Sequence, residues 1–133
     1  MTLSTLTRNP TMSFRQAFDA ERLKRDAERQ ARQEAERLRQ EADEARAVEL
    51  YDTLAADPGF LAERGLTLDR SRYTIIVEHT DFRLRAYFED GVVSVTSADK
   101  RSTHAGAPTK QAQVDSVSAA LVVLAQYLAD ETL

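Results

Sequence analysis

The residues closest to a reactive set are two histidines and one acid. His79 and Asp81 flank a turn, and His104 lies in a later polar stretch. An imidazole near a carboxylate can pass a proton or join a metal shell. These ligands lack any recurring metal spacing, however. The simpler expectation is that His79 ends a strand and His104 faces water. There is no cysteine, which removes disulfides, thiolate chemistry and Cys-based zinc sites. No Gly-rich phosphate loop, serine elbow or HExxH occurs, and the four glycines fall where turns are expected. Half of the 22 carboxylates sit in one charged run that reads as a solvated helix. The chain is therefore expected to be no enzyme, with no cofactor and no metal site.

A second cluster is cationic. Arg83 and Arg85 alternate with Tyr87 on one face of a predicted sheet, beside Ile76, and Arg70, Arg72, Lys100 and Arg101 lie near strand ends. Guanidinium groups with an aromatic ring can hold phosphates and stack a base. The charge excess is small: Arg70 to Lys110 carries seven basic and five acidic residues, a net of +2. Glu78 is expected opposite Arg83, where it neutralises it across the strands. Ile76, Arg83, Arg85 and Tyr87 thus read first as a face for a protein partner, because Tyr and Arg are enriched at such interfaces. Nucleic-acid binding through Arg83 and Arg85 is the alternative.

These residues must be held by a chain of 133 residues, 42% apolar and 30% charged, with a net charge of −4. No stretch approaches the ~18 consecutive apolar residues of a membrane span, so a cytoplasmic protein without membrane contact is expected. Arg outnumbers Lys fifteen to three. That usage suits a GC-rich bacterial genome. Residues 1–13 read as a disordered tail. Their basic, hydroxyl-rich and acid-poor composition also fits a targeting segment, and Met12 offers an alternative start that would leave residues 1–11 untranslated.

Residues 14–56 contain neither Gly nor Pro and are rich in Ala, Glu, Arg and Gln. They read as one charged helix, roughly 60 Å long. Ser13 and Gln16 have the spacing of a capping box at its start. Opposite charges recur four apart, as in Glu21–Arg25 and Glu28–Arg32. Nine basic and ten acidic residues between Arg15 and Glu49 exclude a basic nucleic-acid arm. A thin apolar seam follows Leu23, with Ala31, Ala35, Leu38, Ala42 and Ala45 spaced four and three apart. It predicts a coiled coil, weak because alanine buries little area, with a solvated single helix or a helix lying on another protein as the alternatives. Larger residues at Val48–Leu54 predict anchoring to the domain that follows.

Residues 57–133 read as a small αβ domain. Asp57-Pro58-Gly59 stops the helix, and 57–72 is expected as a packed connector with one helical turn ending at Gly65. Three strands follow: Tyr73–His79, Phe82–Glu89 and Val92–Ser97. Asp90-Gly91 is a strong hairpin signal that sets Phe88 against Val93 and Ala86 against Val95. Thr80-Asp81 sets Val77 against Leu84 and Ile75 against Ala86. Both turns turn the same face of the middle strand inward, an agreement that a one-residue slip would destroy. Residues 99–109 are expected as a loop. A helix over 110–129 would cover the sheet with Val114, Val117, Leu121, Leu124 and Leu128. Three strands under one helix make a thin core, so the long helix or a second subunit should complete it.

The expected class is α+β: a long N-terminal charged helix, a three-stranded antiparallel meander and a C-terminal amphipathic helix. That element order is similar, in topology alone, to small dimeric nucleoid proteins of bacteria. The leading expectation is a homo-oligomeric interaction or scaffold protein, dimer favoured, that also meets another protein. A dimeric, nucleoid-associated-like nucleic-acid binder is the alternative.

Overall fold

A computed structural model describes residues 11–101 and 108–132. Residues 1–10, which hold most of the expected tail, and His104 lie outside them. The chain divides into two units, 1–37 and 38–133, with helix α1 (Phe14–Ala55) running through the division.

The first unit is helical from Phe14 onward. The Ser13 N–H donates to Gln16 Oε1 at 2.8 Å, and the Gln16 N–H donates to Ser13 Oγ at 3.1 Å, which closes the capping box. Ion pairs stitch the surface, some four apart (Glu21–Arg25, 3.3 Å) and others three apart (Asp26–Arg29, Glu34–Arg37).

The second unit is an antiparallel sheet packed under helices. Its strands are β1 (Thr67–Ser71), β2 (Thr74–Glu78), β3 (Phe82–Glu89), β4 (Val92–Asp99) and β5 (Pro108–Val114), in the order β1-β2-β3-β4-β5. The expected register holds throughout the central hairpins: Phe88 faces Val93, Ala86 faces Val95, Val77 faces Leu84 and Glu78 faces Arg83. Asp90 and Gly91 have φ of 52° and 79°, the two positive values that a type I′ turn demands.

The sheet has five strands rather than three. β1 forms within the expected connector, where a tight turn at Arg72, φ 52°, sends the chain back into β2. β5 occupies what reads as a loop and the first turn of a helix. Val114 belongs to it and faces Val93. The last helix, α3 (Val117–Glu131), starts later, at an N-cap Ser116 whose hydroxyl accepts from the Ala119 N–H at 3.0 Å. With two further strands, the element order departs from the helix–three strands–helix topology of the nucleoid proteins.

Between α1 and β1 lies the short helix α2 (Pro58–Glu63). Asp57 caps its start by accepting from the Phe60 N–H at 3.1 Å. Gly65, φ 68°, ends it, and the Leu66 N–H reaches back to the Leu61 carbonyl at 2.8 Å.

One face of the sheet is buried. Ile75, Val77, Phe82, Leu84, Ala86, Phe88, Val93 and Val95 join Ala120 and Leu124 of α3 and Ala47 and Leu50 of α1 in a single core. The long helix therefore completes the core within one chain. Its inward stripe is Asp43, Ala47, Leu50 and Leu54, spaced four, three and four, with Leu54 only half-buried.

Candidate functional site

Most of the groups singled out by their chemistry have structural roles. The His79 ring stacks on Phe82 at 4.5 Å between centroids. Its Nδ1 accepts from the Asp81 backbone N–H at 3.0 Å, so that nitrogen is committed to closing the β2–β3 turn. Among the described residues no cluster of His, Asp and Glu could hold a metal ion.

The outer face of the sheet carries the second group. The register aligns Ile76, Arg85, Thr96 and Gln111 in one row and Thr74, Tyr87, Ser94 and Gln113 in the next. Arg83, Arg85 and Tyr87 are exposed and Ile76 is half-buried. Glu78 accepts from Arg83 Nε at 2.9 Å and from Lys100 Nζ at 2.5 Å, and Lys100 also donates to the His79 carbonyl at 2.8 Å. Burial pushes the Glu78 carboxyl upward, but the hydrogen bonds from Arg83 and Lys100 outweigh it and hold the pKa below its ordinary value. One carboxylate thus answers two cations, and Arg85 is left beside Tyr87 as an unpaired charge among the described residues.

The third group is the helical seam. Leu23, Ala31, Ala35, Leu38, Ala42 and Ala45 are all exposed in the single chain. Leu23 is 72% accessible and Leu38 53%. Before them stand Phe14, 91% accessible, and Phe18, 55%. From Ala42 onward the inward stripe uses neighbouring positions instead, so Ala42 and Ala45 stay exposed.

Two features are not among the candidate sites read from the sequence. Asp43 is 5% exposed, and its carboxylate receives the Asp90 N–H at 2.8 Å and the Gly91 N–H at 3.1 Å. It pins the helix to the β3–β4 turn, with Arg46 at 3.4 Å partly balancing the charge. The only signal for it is an acid standing in a four-three-four apolar stripe. The other feature is an apolar groove of about 430 Å³ between the end of α1, α2 and α3. The exposed, large apolar residue Phe60 stands at its edge.

No family model, no curated protein and no solved structure matches this chain.

Proposed function

We propose that this chain is a homo-oligomeric interaction or adaptor protein without catalytic activity. In this reading the helical unit drives assembly and the αβ unit meets another protein. The supporting observation is the exposure of every seam position from Leu23 to Ala45, together with Phe14 and Phe18. Exposed large apolar groups on one helix are costly in water unless a partner covers them. The core itself needs no second subunit, because α1 supplies Ala47 and Leu50 to it.

Light scattering after size exclusion tests the reading on the full chain. The expected mass is about twice 14.9 kDa at high micromolar concentration. Leu23→Glu combined with Leu38→Glu should return it to one chain with helix content unchanged. Both side chains are solvent-facing in the single chain, so the fold itself has no reason to fail. A wild-type chain that stays monomeric overturns the proposal.

The nucleic-acid reading rests on Arg85 and Tyr87, since Glu78 already engages Arg83 and Lys100. Salt-sensitive binding of duplex DNA that Arg85→Ala abolishes would favour it instead.

A further inference from the structure

The groove beside α2 has the features of a small-molecule site, which is independent of the assembly reading. Its volume, about 430 Å³, falls within the ~300–1,000 Å³ of ligand pockets. Eleven of the sixteen lining residues are aliphatic. Val77 and Leu84 form a buried floor from the sheet, Leu61 and Leu66 one side, and Leu121 and Leu128 of α3 the other. Such a surface gains free energy from each methylene group that leaves water against it.

The polar groups of the lining differ in what they have left to offer. The Thr53 hydroxyl donates to the Glu49 carbonyl at 2.9 Å, and the Thr132 hydroxyl donates to the Leu128 carbonyl at 2.7 Å. The Asp57 carboxylate is spent on the first turn of α2. Arg64 is different. Its guanidinium lies 5.8 Å from the Phe60 ring centroid, and no carboxylate pairs with it among the described residues. Arg64 is exposed, so its charge stands at the opening while the aliphatic wall lies within.

An apolar cleft with one uncommitted cation at its opening complements a molecule with an aliphatic body and one anionic end. We propose that this groove binds a medium-chain aliphatic carboxylate, tail against Val77 and Leu84 and carboxylate on Arg64. Arg64 can present two parallel N–H groups to such a head. The ring of Phe60 limits the directions the guanidinium can take.

Titration calorimetry of the full chain with decanoate, below its micelle threshold, tests this. Saturable binding of one decanoate per chain is expected. Decanol and the Arg64→Gln variant should each bind roughly tenfold more weakly or worse, the loss of one charged hydrogen-bonded contact. Ala125→Trp, which fills the groove from an exposed position on α3, should abolish binding of both ligands while the thermal melt stays cooperative. Absence of saturation overturns the proposal. So does an Arg64→Gln chain that binds decanoate as well as the wild type, whether or not the Trp variant folds.

Discussion

Asp43 shows how much one side chain can fix. A buried carboxylate is unfavourable unless its oxygens are satisfied, and here two backbone N–H groups of a tight turn satisfy them. Replacing it with alanine leaves both donors without an acceptor. We expect Asp43→Ala to lower stability by about 1–3 kcal/mol in urea unfolding, and Asp43→Asn to fall between it and the wild type. The residue was hidden in the sequence by its surroundings, since one more acid in a run of charges carries no mark of burial. Glu78 was easier to foresee, because the register placed it opposite Arg83, and only the bond to Lys100 needed the structure. Its effect has a definite pH sign. The folded state holds the proton less tightly than the unfolded chain, so its stabilisation is complete above the ordinary value of 4.5. It is lost as pH falls from there through the lowered folded pKa. The stability difference between wild type and Glu78→Gln should shrink across that window in urea titrations, and a difference that grows on acidification would contradict it.

Elements with strong alternation or unmistakable turns were legible, and those with neutral composition were not. β3 and β4 carry β-branched and aromatic residues on one face and a positive-φ Asp-Gly turn between them, which fixes strand, register and facing together. β5 reads Pro-Thr-Lys-Gln-Ala-Gln-Val, in which helix formers outnumber β formers and Val114 happens to extend the stripe of α3. Its edge position and pairing with β4 outweigh that propensity. β1 is short and mostly polar, and its turn uses Arg72 at positive φ where glycine would have announced it. The boundary of the folded unit also moves. A cut before Asp57 would seem natural from the Pro-Gly pair, yet it removes Ala47 and Leu50, which are fully buried. Losing even one buried leucine costs about 2–5 kcal/mol, against total stabilities of ~5–15 kcal/mol. Residues 57–133 are therefore expected to give no cooperative thermal melt, whereas 38–133 should give one.

For the molecule entire, what matters is which apolar groups the single chain covers and which it leaves to others. The sheet, α3 and the end of α1 satisfy one another, while Leu38, Ala42 and Ala45 of the seam stay exposed. Alanine dominates the seam, so each turn buries little area and the association should be weak and concentration-dependent. Light scattering across a dilution series should show the mass falling toward one chain. No membrane-spanning helix competes for these groups among the described residues. The meander has a further consequence, for the order in which the native state is reached. Every strand pairs with its neighbour in sequence, so strand pairing joins segments that are close along the chain. The Asp43 bond to Gly91, by contrast, spans 48 positions. The hairpins should form before the helix docks on them, and the docking contacts should be absent from the transition state. In stopped-flow kinetics, Asp43→Ala should then speed unfolding and leave the folding rate nearly unchanged. A loss carried by slower folding would place the helix in the nucleus instead.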